Sequence, residues 1–190
     1  MNLNTILMQM SLNMYDVLEE DYKLNIVGIR SKDKTSNVFN DEIVCFWKDK
    51  GETIEKRWTI TTDPGLSGMV KPTNAKGVAI LKTGQYKNVY KIDKHKGKYD
   101  ALCQRGGVVK VYRDGDLDAE HDLDPESIDT GWFGINIHGT RKDAISTQVN
   151  GWSHGCQVFQ VWEEFQEFME IVKKSAGIWS NNFTYTLLEE

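Results

Sequence analysis

The chain has 190 residues, 39% of them hydrophobic, and carries 23 basic and 28 acidic side chains with 4 histidines, a net charge of −5. That length and apolar share allow one domain with a substantial core, and the acidic balance argues against nucleic-acid binding, which draws on a basic face. Three cysteines are too few for a disulfide framework and leave one thiol unpaired in any pairing, which favours a reducing environment.

Residues Met1 to Met10 lack the basic n-region and sustained apolar core of a secretory signal, and no run approaches the length of a membrane span. The expectation is synthesis in the cytoplasm and no membrane partner. Between Thr5 and Glu20, Ile6, Met10, Met14 and Leu18 recur every four residues, the spacing of one helical face. This predicts an N-terminal helical segment, residues 1–25, ahead of a main unit, 26–190. From Lys23 to about Tyr112 short apolar runs alternate with turns, and 24–29, 43–47, 57–62, 78–81 and 108–112 read as strands of a mainly β domain.

Lys82, Lys87, Lys91, Lys94, Lys96 and Lys98, interleaved with Tyr86, Tyr90 and His95, predict a solvated hairpin, attraction of an anionic polymer being the other reading. Cys45 lies in an apolar strand-like run and Cys103 beside the turn at Gly106-Gly107, so both read as small buried hydrophobes. Asp114, Asp116, Asp118, Glu120, Asp122, Asp124, Glu126 and Asp129 form an acidic loop expected to border the functional cleft, with a lid role open to it. Calcium is the alternative occupant, although the EF-hand order of ligands and glycine is missing. Near the C-terminus, Phe165, Phe168, Met169 and Val172 share one face of a helix predicted over 161–174, with Lys173-Lys174 suiting its C-terminal dipole and Gly177 ending it. Phe183 to Leu188 reads as a closing strand.

The chemistry concentrates in two segments. One is Trp152-Ser153-His154-Gly155-Cys156; the other is Gly134-Ile135-Asn136-Ile137-His138-Gly139-Thr140. A thiol is mostly protonated at neutral pH, so a catalytic cysteine needs an imidazole brought alongside. The polar stretch Arg141 to Gly151 reads as a loop joining two strands, which lets His138 and Cys156 meet across neighbouring strands. Gly155 permits a tight turn that aims backbone N–H groups at an oxyanion. Zinc held by His138, His154 and Cys156 is an alternative, but the Cys-x-x-Cys or His-x-x-x-His pairs common in structural zinc sites are missing. Trp132 and Trp152 flank the two segments, as pocket walls or as core.

The pattern His138-Gly139, a loop, then Ser153-His154-Gly155-Cys156 resembles the signature of the L,D-transpeptidase catalytic domain. Trp58 to Gly65, Pro72 and Gly77 to Leu81 are similar to that family's strand, proline-containing loop and next strand. The resemblance covers about residues 26 to 175. It implies an L,D-transpeptidase-like β-sandwich or barrel with an N-terminal helix and a helix after the cysteine. It implies further that Cys156 is the nucleophile, His138 the base and Gly139 the backbone group orienting the imidazole. Ser153 belongs to the same motif, and His154 with the Gly155 and Cys156 amides would line the oxyanion site. The substrate would be peptidoglycan stem peptides, processed through a thioester without a cofactor. Where the family shows a hydrophobic residue and then arginine or asparagine, this chain has Gln157 and Val158, which leaves transfer and hydrolysis both open. Family members usually act outside the membrane, so the missing export signal suggests a bacteriophage-encoded enzyme, delivered in a virion or released at lysis. A trimmed chain and a cytoplasmic enzyme of recycled wall peptides are the alternatives there. A non-catalytic wall-binding or virion structural module, and a cysteine protease acting on proteins, are the competing function classes.

Overall fold

A computed structural model describes residues 1–33 and 35–190. In chain order the elements are α1 (Leu3–Leu12), β1 (Asn25–Arg30), β2 (Asp41–Asp49), β3 (Glu52–Thr61), α2 (Leu66–Val70), β4 (Val78–Leu81), β5 (Gly84–His95), β6 (Tyr99–Gln104) and β7 (Val109–Asp114). They continue with β8 (Asp129–Gly131), β9 (Ile137–Gly139), β10 (Gln157–Phe159), α3 (Trp162–Ile178) and β11 (Phe183–Glu189).

Strand β1 is buried at all six positions, and β2 is buried at five successive ones, Ile43 to Trp47. Such continuous burial requires cover on both faces. The two-residue period supplies it: Ile26, Ile43, Cys45 and Trp47 join the main core, whereas Val27, Ile29, Val44 and Phe46 form a second cluster with Ile6 and Met10 of α1. Helix α1 therefore clasps the outer face of the first hairpin. The side chain of Asn2 caps it by accepting the Thr5 N–H at 2.9 Å.

Eight strands close into a barrel in the order β1-β11-β5-β6-β9-β10-β3-β2. The β1–β11 and β9–β10 neighbours run parallel and the other pairs antiparallel. Strands β4, β7 and β8 form a separate sheet of three. Lys50 and Gly51 both have positive φ, 51° and 86°, between partners Asp49 and Glu52, a two-residue turn whose twist matches the flanking strands. Full closure removes exposed sheet edges from the barrel. Helix α3 drives Trp162, Phe165, Phe168, Met169 and Val172 into the same core as the barrel residues, where the Phe168 and Phe159 rings lie 5.1 Å apart. Truncating one such ring to alanine costs about 3–5 kcal/mol.

The mainly β architecture with a helix at each end of the chain agrees with the sequence reading. Three details differ. Helix α1 ends at Leu12, not near Glu20, because Met14 turns left-handed at φ 54° and the Tyr15 N–H closes back on the Met10 carbonyl at 2.9 Å. Helix α3 runs through Gly177 to Ile178, since a single exposed glycine weakens a packed helix by only about 1 kcal/mol. The hairpin of β5 and β6 is solvated on one face only: Tyr90 is fully buried, and Tyr86, Val89 and His95 are buried with it.

Candidate functional site

Strands β9 and β10 lie side by side in parallel, with Ile137 opposite Gln157, His138 opposite Val158 and Gly139 opposite Phe159. One residue earlier the Gln157 N–H donates to the Asn136 carbonyl at 2.9 Å, which brings Asn136 level with Cys156. Side chains alternate along a strand, so Asn136, His138, Cys156 and Val158 share one face. His138 and Cys156 are diagonal neighbours there; the polar partners of the sulfur are Asn136 and Gly134 and that of the imidazole is Gly139, with no hydrogen bond between sulfur and imidazole. Gln157 and Phe159 point the other way. The sulfur of Cys156 accepts the Asn136 N–H at 3.4 Å and lies 3.5 Å from the Gly134 carbonyl. It is half-buried, whereas Cys45 and Cys103 are buried.

His138 is 2% exposed. Its Nδ1 lies 2.9 Å from the Gly139 carbonyl; a carbonyl only accepts, so Nδ1 carries the proton and Nε2 keeps the lone pair. The Tyr99 hydroxyl donates to the same carbonyl at 3.1 Å. Burial, then the charge of a protonated His95, holds His138 down to about 3. Burial also pushes the Cys156 thiol above its ordinary value, against the Asn136 N–H and Lys96. At neutral pH the two groups therefore rest as a thiol and a neutral imidazole on one strand face.

The loop carrying the cysteine is fixed from below. Ser153 is wholly buried; its hydroxyl accepts the Gly155 N–H at 3.1 Å and donates to the Cys156 carbonyl at 2.8 Å. Gly155 has φ +117°, and a Cβ there would stand 2.4 Å from the Ala79 carbonyl oxygen, so no other residue fits. Of the two amides expected to face an oxyanion, that of Gly155 is taken by Ser153. That of Cys156 donates to no protein acceptor among the described residues. His154 is exposed. Burial and Lys96 lower its pKa, and it is not tied into the His138 network. Gly139 has a packing duty as well, because a Cβ would come within 2.8 Å of the Phe165 ring.

Four residues that sequence reasoning did not single out for the site complete it. The Gln104 side-chain carbonyl accepts the amides of Phe133, Gly134 and Ile135 at 3.2, 2.9 and 3.1 Å, and its amide donates to the Gly107 and Gly131 carbonyls. One buried side chain therefore shapes the turn that delivers β9. The rings of His95 and His138 stack at 4.0 Å between centroids, tilted by 27°. Asn136 bridges His95 and the Gln104 backbone, and Tyr99 braces Gly139.

Gln157 turns into the barrel, where it accepts the Tyr185 hydroxyl at 2.9 Å and donates to the Thr62 carbonyl at 3.3 Å; Val158 is fully buried. Trp132 and Trp152 are 61% and 36% exposed, too open for core positions. The acidic loop is anchored at its middle by His121, whose Nε2 lies 3.1 Å from the Pro64 carbonyl. Its aspartates largely serve their own backbone: Asp116, Asp118 and Asp124 accept N–H groups two residues on. Among the described residues no three His, Cys, Asp or Glu side chains are arranged to hold a metal ion, and no helix is long and apolar enough to cross a membrane. Comparison with known protein families, with curated proteins and with solved structures finds no match.

Proposed function

We propose that the protein is a cysteine acyltransferase or peptidase of the L,D-transpeptidase type, acting on peptidoglycan stem peptides through a thioester on Cys156. The observation that carries this reading is the shared face of β9 and β10, on which a sulfur held by the Asn136 N–H at 3.4 Å lies diagonal to an imidazole locked on Gly139. The locked tautomer leaves Nε2 as the base. As Sγ attacks the carbonyl carbon of an amide between an L and a D centre, His138 Nε2 takes the thiol proton. The carbonyl oxygen becomes an oxyanion, for which the Cys156 N–H is a donor. The imidazolium then returns its proton to the departing amine as the C–N bond breaks, leaving the thioester. An amine acceptor would complete a cross-link, and water would trim the peptide; the same residues serve both.

Gln157 and Val158 supply no cation for a substrate carboxylate, the former being committed to Tyr185 and Thr62. That departure favours one second reading, a wall-binding or virion module that retains the fold without the chemistry. The test is incubation with purified peptidoglycan and mass spectrometry of the fragments. New cross-links or shortened stems, lost in Cys156→Ala, are expected; unchanged fragments with retained wall binding would support the inert module.

A further inference from the structure

We infer that His95 is a positioning residue for His138, itself held in place by the side chain of Asn136; the inference rests on the thiol chemistry proposed for Cys156. Three observations converge on it. His95 stands at the end of β5, distant in sequence from the two motif segments, yet it is 5% exposed and its ring lies flat against His138 at 4.0 Å. The Gln104 N–H donates to Asn136 Oδ1 at 2.9 Å, which fixes the orientation of that amide and turns Nδ2 toward His95 Nδ1, 3.2 Å away. An NH2 group only donates, so His95 accepts at Nδ1 and carries its proton on Nε2. His95 is thereby a neutral ring presenting its face to the base.

The arrangement gives Asn136 two functions on one residue. Its backbone N–H holds the sulfur, and its side chain holds the ring that holds the imidazole. The Gly139 bond fixes which edge of His138 faces the carbonyl, and the stack restrains the plane about that bond, so Nε2 is aimed rather than swinging. The second consequence is electrostatic. When His138 takes the thiol proton, the new positive charge lies over a neutral π face, an attractive geometry; a protonated His95 would repel it. The rings facing His95, Tyr99 on β6 at 5.6 Å and His138 on β9, are uncharged at rest and offer no anion that would favour a protonated His95. Burial, followed by the cations of Lys96 and Arg105, holds His95 itself down to about 4.

The experiment measures iodoacetamide alkylation of Cys156 by peptide mapping as a function of pH, in wild type, His138→Ala, His95→Ala and His95→Phe, each checked by thermal melting. His95→Phe keeps a flat ring in the stack and supplies the fold-preserving comparison should the alanine variant not fold. His95→Ala is expected to slow alkylation near neutral pH by about 10-fold, and His95→Phe to recover to within about threefold of wild type, with a pH profile displaced for alanine alone. Wild-type rates in His95→Ala, or a His95→Phe variant as slow as alanine, would overturn the inference. If His138→Ala is slow and His95→Ala is not, only the positioning role falls. If His138→Ala itself reacts as wild type does, the thiol chemistry falls and the positioning role goes with it.

Discussion

Asn136 donates its N–H to the Cys156 sulfur at 3.4 Å at the entrance to β9 and β10, and its carbonyl accepts the N–H of the following residue, Gln157, at 2.9 Å. This double tie sets the register that puts His138 and Cys156 on one face. A one-residue slip would turn the thiol into the barrel and Gln157 outward. The reactivity of the cysteine is therefore a property of the strand pairing.

The pH dependence of the thiol follows from its burial. The Cys156 pKa is raised and that of His138 lowered, so both shifts favour the neutral pair. The thiolate fraction is expected still to be increasing above about pH 9, beyond the ordinary thiol value. A pH–rate profile for iodoacetamide should thus keep climbing through that range. A plateau reached below neutrality would signal a preformed ion pair and contradict the assignment.

Gly155→Ala should be damaging twice over. The left-handed φ of +117° is strained for alanine, and the new methyl would meet the Ala79 carbonyl oxygen at 2.4 Å. A stability loss of about 2 kcal/mol or more is expected, with loss of Cys156 labelling because the loop carrying it must shift. A variant that melts and labels like wild type would show that the loop relaxes freely.

Gln104→Ala removes an acceptor shared by three amides. Leaving a buried donor without a partner costs about 1–3 kcal/mol; the Ile135 amide is the buried one, and water can reach those of Phe133 and Gly134. A net loss of about 2 kcal/mol would lower the melting point of a chain of this size by about 4–8 °C, with slower thiol chemistry as the turn before β9 loosens. Unchanged melting would mean that the three amides find other partners.

Asp41 imposes a pH dependence on stability. It is buried, accepts the Ser31 N–H at 2.8 Å and the Thr62 N–H at 2.5 Å, and is pushed up to about 6 by burial and then by Asp63. Its folded pKa lies above the unfolded value of about 4, so between those limits the native state holds a proton that the unfolded chain has released. The contribution from Asp41 is largest below that window and is lost as pH rises through it, by an amount on the order of 2 kcal/mol. Urea melts at a series of pH values should show the fall in wild type and not in Asp41→Asn. An equal slope in both would assign the proton elsewhere.

Much of the fold was legible because apolar runs and turns were locally consistent. The 43–47 and 57–62 runs are strands, and Phe165, Phe168, Met169 and Val172 do share a buried helix face. The overlong first helix came from spacing alone: Met14 fits the four-residue repeat but is 88% exposed, being itself the left-handed residue of a turn that hydrogen bonding closes. The two motif segments were legible as residues in sequence, and the loop 141–151 does join two strands. Asn136 carried a usable signal, because a two-residue period places it on the face of His138. His95 carried little. Its neighbours are lysines, and only the closure of β5 and β6 beside β9 brings its ring to the imidazole. Gln104 was equally silent, since its role is to satisfy backbone groups some thirty positions away.

The most direct test of the account is intact-mass analysis after exposure to a carbapenem, followed by peptide mapping, in wild type, Cys156→Ala and His138→Ala. The account predicts one adduct per chain in wild type, mapped to Cys156, none in Cys156→Ala, and formation slowed by about 100-fold or more in His138→Ala. Labelling spread evenly over Cys45, Cys103 and Cys156, or an adduct rate indifferent to the loss of His138, would contradict it.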